Sequence, residues 1–562
     1  MNLIPFSRKH KDEFLSRSEG NFNILIDKIN LFYTCTRSDI GDGSSPRRKI
    51  DFRFDYEEEL NDVKINCKGI TTEEVASEFN DILQGCIRHQ DPLTAFNLIP
   101  APMLDVVAGM TLMSLYNPNC CWDFISGKLC LYEKKIARML GQLVDWPRAD
   151  GLVITGGKQA LAYAIKNGMG RASLNCPAEM SDYVVICSAL AHYSIEHVCH
   201  YLGISPENCI RVAADPSGEM NLQAFEETLD RVISEDKVIA AVIAVGGGTI
   251  NFFPDSIKPM KQIIDHTATR HCLSYIPYLH VDTVISWAWL AFEKVESEWE
   301  QSSSPEATKK IKNVLSKLSG IHHADSFAAD FHKIGFCPYA AGMFITKESS
   351  NLCGMTVDGS SPKENIRFGE AEMYKQTLEN SRPGLAIASI WIALRRMGLE
   401  GLGQFIQYQL EVCEMFKLRI RESYGDHFEI LNDHSNGWEI VLKPHFGSVT
   451  LWRELQTGSA DEQQLYSRTC HQFLNDLWYG DLENEQQRTP VIGFVKSYSR
   501  IGSHEKGFPA FLIHPTSLHY NNQEIDKMLE EILRAKITFD SKQTSPESEL
   551  AEEYFSQFTP PK

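Results

Sequence analysis

Short β-rich runs alternate with helical segments between Gly151 and about Lys347, and this alternation constrains the fold of the 562-residue chain more than any other feature. Runs such as GLVIT, DYVVICS and VIAAVIAV are followed by segments such as KQALAYAI, HYSIEHVCHYL and SIKPMKQIIDHT. This alternation is typical of an α/β protein with a mostly parallel sheet and helices on both faces. Ligands bind such sheets at the carboxyl ends of the strands. The sequence therefore predicts a site in the loops that follow the strands.

The rest of the chain divides into further segments on the same kind of evidence. Residues 1–147 are polar and then helical, and we expect their two amphipathic helices, MLDVVAGMTLMSLY and LYEKKIARMLGQLVDW, to contact a second subunit. Residues 148–385 form the predicted large domain. Residues 386–540 give helical and then mixed signals, which predict a smaller C-terminal α+β domain, and residues 541–562 are predicted to be a polar tail.

Charge and composition argue against several classes of partner. The 55 basic and 74 acidic residues give a formal charge of -19, which repels nucleic acid. No apolar run suits a signal peptide or a membrane span, so we expect a cytoplasmic protein that does not bind membranes. The fifteen cysteines contain no C-x-x-C pair, so we expect reduced thiols. His322, His323 and Asp325 lack a second ligand pair at a recognised spacing, so no metal site is expected.

Four features at the ends of predicted strands carry chemistry when they are taken together, although each alone has a common structural explanation. Gly156 and Gly157 precede a helix and could hold a phosphate on bare backbone. His192 could stack on a flat ring, and Asp282 ends an apolar strand, where a carboxylate needs a cationic partner. Lys333 offers an amine. These are the groups that pyridoxal 5′-phosphate (PLP) requires: a phosphate cradle, a stacking ring, a carboxylate for the pyridine nitrogen and an amine for the aldehyde.

The chain resembles the group II PLP-dependent amino-acid decarboxylases, a family that acts on glutamate, aspartate, tyrosine and aromatic amino acids. The most specific stretch is ADSFAADFHKIGFCPYAAGMF, from Ala324 to Phe344, and it is most similar to the microbial tyrosine and aspartate decarboxylase branch. SALAHYSIEHVCHYLGI, LHVDTV and TLENSRPGLAIASIWIALRRMG extend the resemblance over roughly Asp91 to Leu418. The resemblance implies fold type I, the aspartate aminotransferase-like architecture. It also implies PLP as the cofactor and a homodimer with active sites at the interface.

The resemblance implies a role for each candidate residue. Lys333 would hold the cofactor as a Schiff base, Asp282 would pair with the pyridine nitrogen, and His192 would stack on the ring. The other implied cofactor contacts are Gly156, Gly157 and Lys158 in the phosphate loop, His332 near the phosphate, Thr249 beside the cofactor and Val284 against the ring. Arg382, in ENSRPG, is a candidate for binding an acidic substrate, and an ion pair at a helix start is the competing explanation.

Three departures from the family pattern bear on the reaction. Lys158–Leu161 reads KQAL, where the family usually has Ser or Thr, then Glu, Ala and Asn, so the phosphate contacts are expected to differ. Val284 stands where a small alanine usually packs against the ring. No tyrosine lies between Tyr339 and Tyr374, where the family carries the loop tyrosine that delivers a proton after carbon dioxide has left.

The sequence therefore predicts a PLP-dependent carboxy-lyase that decarboxylates an L-amino acid through a carbanion. Another carbanion reaction, either decarboxylation-coupled oxidative deamination to an aldehyde or a C–C lyase reaction, is an alternative because the loop tyrosine is missing. A non-catalytic or dinucleotide-binding α/β protein is a second alternative, but neither Gly156-Gly157 nor Gly246–Gly248 belongs to a G-x-G-x-x-G motif between a strand and a helix. The sequence does not choose between acidic and aromatic substrates.

Overall fold

The computed structural model describes residues 20–37, 46–47, 56–61, 63–65, 67–295, 298–357, 359–360, 362, 366–447, 451–479, 489–500 and 505–543. The chain forms two compact units, one of residues 1–95, 471–491 and 523–562 and the other of residues 96–470 and 492–522. The domain boundaries expected at residues 148, 386 and 541 stay predictions. Most of the predicted polar tail, from residue 544 onward, lies outside the described residues.

The helices and strands follow one another along the described part of the chain. In chain order they are α1 (Phe22–Arg37), α2 (Tyr56–Leu60), α3 (Thr72–Ile82), β1 (Thr94–Ala95), α4 (Leu104–Tyr116), α5 (Asp123–Ser126), α6 (Leu129–Gln142), β2 (Asp150–Ile154), α7 (Gly157–Ser173), β3 (Tyr183–Ser188), α8 (Ser194–Tyr201), β4 (Cys209–Val212), α9 (Leu222–Ser234), β5 (Val238–Val245), α10 (Ile257–Arg270), β6 (Tyr278–Asp282), α11 (Glu298–Ser302), α12 (Pro305–Leu318), β7 (Ser326–Asp330), β8 (Gly342–Thr346), α13 (Leu385–Ser423), β9 (Phe428–Ile430), β10 (Ile440–Pro444), α14 (Trp452–Thr457), α15 (Ala460–Tyr479), β11 (Val491–Tyr498), β12 (Phe508–Ile513) and α16 (Asn522–Gln543). Within these elements no helix is long and apolar enough to span a membrane.

The larger unit is built on a seven-stranded sheet in the order β2-β8-β7-β6-β5-β3-β4. Strands β3 to β7 are parallel to their neighbours within this group, and helices connect most of them. All eight residues of β5 are buried, as expected for a central strand whose two faces are both covered. The structure thus confirms the predicted α/β class and the mostly parallel sheet.

Strand β8 is antiparallel to both of its neighbours, β7 and β2. The connection from Asp330 to Gly342 contains no helix that could carry the chain back across the sheet, so β8 returns beside β7 in the opposite direction. Strand β2 pairs with β8 over its whole length, from Asp150 opposite Thr346 to Ile154 opposite Gly342. This pairing brings the end of β2 close to the loop that follows β7.

A second, antiparallel sheet in the C-terminal part of the chain contains β11, β12, β10 and β9 in that order. The six residues of β12 and the five of β10 are all buried. Helix α13 precedes this sheet and is interrupted at Gly398, whose φ of 60° and ψ of -175° are not helical. The periodicity after residue 384 therefore corresponds to two helical segments rather than to one straight helix.

Candidate active site

A cavity of about 630 Å³ lies in the larger unit, at the carboxyl ends of the central strands. Residues that follow β2, β3, β5, β6 and β7 line it, together with residues of β11. Every predicted site residue except Arg382 lines this cavity: Gly156, Gly157, Lys158, His192, Thr249, Asp282, Val284, His332 and Lys333. The structure thus brings together residues that are far apart in sequence, and their individual roles stay predictions.

The loop between β2 and α7 forms a cradle of bare backbone. Gly156 has a φ of 148°, and a Cβ atom at this position would lie only 3.2 Å from the His332 ring. Gly157 begins α7, so the free N–H groups of a helix N-terminus face this end of the cavity. The geometry fits a phosphate group, because a side chain at Gly156 would fill the space that an anion needs.

Gln159, one of the departures in this loop, is part of a hydrogen-bond network. Its side-chain oxygen accepts hydrogen bonds from the backbone N–H and the hydroxyl of Thr155, at 2.8 and 3.0 Å. Its amide nitrogen donates to the hydroxyl of Tyr163 at 2.7 Å and to a carboxylate oxygen of Glu379 at 2.6 Å. The side chain therefore holds the start of the loop in place, so a glutamine at this position still supports the cradle.

Asp282, at the end of β6, provides an acidic group inside the cavity. Burial raises the pKa of its carboxyl group to about 6, although the positive charge of Lys333 opposes this shift. A carboxylate in such a place is stabilised by a cation. The protonated pyridine nitrogen of PLP is a cation of this kind, so the environment of Asp282 fits the ring nitrogen of that cofactor.

Asp330, at the end of β7, is a site residue that the sequence analysis missed. Its side chain is 1% exposed, and its Oδ2 atom lies 3.4 Å from the side-chain nitrogens of both His332 and Lys333. Burial would raise the pKa of Asp330, but these two neighbours lower it below its ordinary value. The sequence contains the same signal that identified Asp282, because Asp330 is also an acidic residue at the end of an apolar strand.

His332 and His192 are held in different ways. The Nδ1 atom of His332 lies 2.8 Å from the carbonyl oxygen of Ala341, and its ring is buried against the cradle. The Nδ1 atom of His192 lies 2.7 Å from the hydroxyl of Ser194, which orients the imidazole in the lining of the cavity. The enclosure of His192 and the positive charge of Lys333 lower its pKa, which favours a neutral ring.

The loop after β5 is held by residues of the C-terminal sheet region. The backbone carbonyl of Thr249 accepts a hydrogen bond from His514 at 3.1 Å, and the Asn251 side-chain oxygen accepts one from the Tyr498 hydroxyl at 3.1 Å. The Phe252 N–H donates to Ser435. Asn251 and Tyr498 line the cavity, and no local sequence signal identified them, because tertiary packing alone brings β11 to this loop.

Arg382 is placed outside the cavity lining, which corrects the expectation that it binds substrate. Its guanidinium forms a bidentate ion pair with Glu133, in which Nη1 lies 3.1 Å from the second carboxylate oxygen. Both side chains are buried, at 6% and 0% exposure, and Arg382 also donates to the carbonyl oxygen of Val153 at 3.2 Å. Its charge is therefore already neutralised, and the competing ion-pair explanation is the one that the structure supports.

The comparisons with known proteins agree with this geometry. Residues 55–443 match the protein family described as "Pyridoxal-dependent decarboxylase conserved domain". An L-2,4-diaminobutyrate decarboxylase from Rhizobium meliloti (strain 1021) is 26% identical over 317 residues, which are 56% of this chain and 56% of that protein. A probable L-tyrosine/L-aspartate decarboxylase from Methanothermobacter thermautotrophicus is 24% identical over 269 residues, covering 48% of this chain and 62% of that protein. The chain thus spans little more than half the length of these relatives.

A solved structure extends the likeness of the fold. The crystal structure of mouse CSAD in apo form superposes with a TM-score of 0.72 at 18% sequence identity, covering 91% of this chain and 99% of that one. At this identity the superposition establishes the fold, which is the fold type I architecture that the resemblance implied.

Proposed function

Because the chain belongs to the family of pyridoxal-dependent decarboxylases, we propose that it removes the α-carboxyl group of an L-amino acid with PLP held at Lys333. One observation carries this proposal: four residues at or just after the carboxyl ends of four different strands line a single cavity, namely Gly156, His192, Asp282 and Lys333. The glycine cradle fits a phosphate, and the pKa of about 6 at Asp282 marks a carboxyl group that a ring cation would stabilise.

PLP, when bound, supplies an electron-withdrawing ring that accepts the electron pair left when carbon dioxide departs. Gly156 and Gly157 would hold its phosphate on backbone N–H groups, and Asp282 would keep the ring nitrogen protonated. His192 would cover one face of the ring. Lys333 would carry the cofactor and, once the substrate amine has replaced it, would be free to move a proton near the α-carbon.

Two residues of the chain, Asp330 and His332, would position Lys333 and the phosphate cradle. The Oδ2 atom of Asp330 lies 3.4 Å from the Nζ atom of Lys333 and would orient this amine. His332 lies beside Gly156, where a Cβ atom would come within 3.2 Å of its ring. The cavity would orient the α-carboxyl group of the substrate, and orientation of this group would decide which bond is broken.

Absorbance and labelling test this proposal directly. Purified protein supplied with PLP should turn yellow, and borohydride should remove the visible absorbance and leave the cofactor on the peptide that contains Lys333. The reconstituted protein should then release carbon dioxide from at least one of the common L-amino acids. A colourless protein that takes up no added PLP contradicts the assignment, whatever its activity in other assays.

An oxidative reaction is the second candidate, and one sequence observation favours it. No tyrosine lies between Tyr339 and Tyr374, the segment in which we expected a proton-donating loop tyrosine. Without a proton donor the α-carbon can react with oxygen, which yields an aldehyde, ammonia and hydrogen peroxide. Oxygen consumption equal to the carbon dioxide released supports this reaction, whereas an amine product without oxygen consumption supports simple decarboxylation.

A homodimer is the proposed assembly of the chain. Helix α4 carries Leu104, Leu112 and Tyr116, which are 84%, 50% and 70% exposed in the single chain. Nearby in sequence, Phe124 and Ile125 are 65% and 59% exposed. An exposed apolar surface of this kind is typical of a subunit interface. Sedimentation of the purified protein at micromolar concentration tests the proposal.

We further propose that the protein works in the cytoplasm. All fifteen cysteines are free thiols, and ten of them are buried: Cys120, Cys121, Cys130, Cys187, Cys199, Cys209, Cys337, Cys353, Cys413 and Cys470. Free thiols are usual in a reducing compartment. Fractionation of the source cells, with the protein followed by antibody, tests the location.

A further inference from the structure

The Asn251 side chain is held in one orientation at the wall of the cavity. Its backbone φ of 53° lies in the left-handed region, which asparagine tolerates better than most residues. The residue is 7% exposed and lines the cavity. The Tyr498 hydroxyl donates a hydrogen bond to its side-chain oxygen at 3.1 Å. Because the oxygen is occupied in this way, the amide N–H groups are the part of the side chain that remains for a ligand.

Tyr498 is suited to hold Asn251 in this orientation. Its side chain is buried, at 2% exposure, and its hydroxyl also lies 3.4 Å from the carbonyl oxygen of Leu431. Burial raises the pKa of Tyr498 to about 12, although its hydrogen bond with Asn251 opposes the shift. The phenol therefore keeps its proton at neutral pH and acts as a donor toward Asn251.

Further polar groups stand on the same cavity wall. Thr249, two residues before Asn251, and Ser497 and Ser499, on either side of Tyr498, all line the cavity. Their hydroxyl groups can donate hydrogen bonds to an acceptor. An apolar or aromatic substrate side chain would leave the amide N–H groups of the buried Asn251 without a partner, which is costly. A substrate side chain that ends in an ammonium group has only N–H donors, so it cannot accept a hydrogen bond from the Asn251 amide.

We propose that Asn251, oriented by Tyr498, selects amino acids whose side chain ends in a carboxylate. A carboxylate is an acceptor only, so it matches the amide N–H groups and the neighbouring hydroxyls. This inference rests on the proposed function, and it names the substrate class of the same site. Asn251 is then a specificity-determining residue, and Tyr498 is a positioning residue that acts through it.

Substrate selection can be measured separately from catalysis by binding amino acids to a form of the protein that cannot convert them. The holoprotein reduced with borohydride should bind L-aspartate more tightly than L-2,4-diaminobutyrate or L-tyrosine, as measured by calorimetry. Asn251→Asp replaces the amide donors by a carboxylate and should weaken L-aspartate binding at least about tenfold while L-2,4-diaminobutyrate binding is kept or improved. Asn251→Ala should weaken L-aspartate binding without improving L-2,4-diaminobutyrate binding. Tyr498→Phe should give an intermediate loss.

Asn313→Asp is the matched control, because it makes the same change of charge at an exposed position on α12. It should leave all three affinities unchanged. Parallel losses for all three amino acids in Asn251→Asp would assign the residue to the α-carboxyl group instead and overturn the proposal, as would unchanged affinities. Failure of the proposed function is recognised separately, because the wild-type protein would then show no PLP absorbance to reduce.

Discussion

The Oδ2 atom of Asp330 lies 3.4 Å from the Nζ atom of Lys333, and the carboxylate is 1% exposed while the lysine side chain is 24% exposed. The same oxygen lies 3.4 Å from His332 Nε2. One buried anion therefore orients both the amine proposed to carry the cofactor and the histidine beside the phosphate cradle. Asp330 is the last residue of β7 and Lys333 follows three residues later, so the carboxylate and the amine lie on one short segment of chain.

Replacing the Asp330 carboxylate by an amide tests its positioning role. Asp330→Asn should lower kcat/KM about 10- to 100-fold and weaken PLP binding, because the charge that holds Lys333 and His332 is lost. Steady-state kinetics and titration with PLP, followed by absorbance, measure the two effects. Asp150→Asn removes another buried, ion-paired carboxylate, at the start of β2, and should leave the absorbance of bound PLP unchanged. Equal effects in both variants would indicate a general loss of stability.

The amine of Lys333 is expected to be essential. Lys333→Ala should lower turnover by about a thousandfold or more and leave the fold intact, because no other group would carry the cofactor. Circular dichroism checks the fold, and carbon dioxide release checks turnover. Lys158→Ala serves as a comparison for the loss of a lysine that also lines the cavity, and it should retain covalent attachment of PLP. Substantial turnover by Lys333→Ala would overturn the assigned role.

Asp282 should make the stability of the cofactor-free protein depend on pH. Its pKa is about 6 in the folded protein against an ordinary value of 3.8, so the native state keeps its proton longer than the unfolded state. The stability that this proton provides is present below pH 3.8 and is lost as the pH rises through 6. Relative to Asp282→Asn, the wild type should lose up to about 3 kcal/mol of unfolding free energy over that range. Urea unfolding of both proteins from about pH 3.5 to 7.5 measures the difference.

The Arg382–Glu133 pair should contribute to stability and not to substrate choice. Arg382→Met leaves Glu133 buried without its cation, so we expect a loss of about 3–5 kcal/mol in unfolding free energy. The double variant with Glu133→Leu should recover much of this loss. The relative binding of L-aspartate and L-2,4-diaminobutyrate should not change in either folded variant. A change in that preference would restore Arg382 as a substrate-binding residue.

The apolar surface of α4 should be needed for dimer formation. Leu112→Glu places a charge in the middle of that surface, at a side chain that is 50% exposed in the single chain, and should convert the dimer into a monomer. Analytical ultracentrifugation measures the mass. Ser316→Glu makes a comparable addition of charge on the exposed face of α12 and should remain dimeric. A wild-type protein that is monomeric at all concentrations would rule out the proposed assembly.

Much of the large sheet could be predicted because its strands are short apolar runs between amphipathic helices. The alternation from GLVIT to AGMFITK predicted the order of the strands and helices. The resemblance to the decarboxylase family predicted that Lys333, Asp282 and His192 lie together around the cofactor. The direction of β8 could not be predicted, because a strand's sequence does not record which way its neighbours run. That direction depends on the connection after Asp330.

The partners of a side chain could not be predicted where they lie on segments that are distant in the sequence. Arg382 follows the active-site segments in sequence, yet its partner Glu133 lies on α6, and the sequence contains no sign of that pairing. Asn251 and Tyr498 meet only because the C-terminal sheet packs on the loop after β5. Asp330 is a different case, since the rule that identified Asp282 at the end of a strand applies to it equally.

The pairing of β2 with β8 has a consequence for the order in which the protein can be assembled. The first strand of the large sheet to leave the ribosome has its partner 196 residues later, where Asp150 meets Thr346. Such a long-range contact costs chain entropy and closes slowly. His332 therefore cannot pack against the glycine cradle at the end of β2 until almost the whole sheet has been synthesised. A nascent chain that ends before Gly342 should be unable to bind the coenzyme.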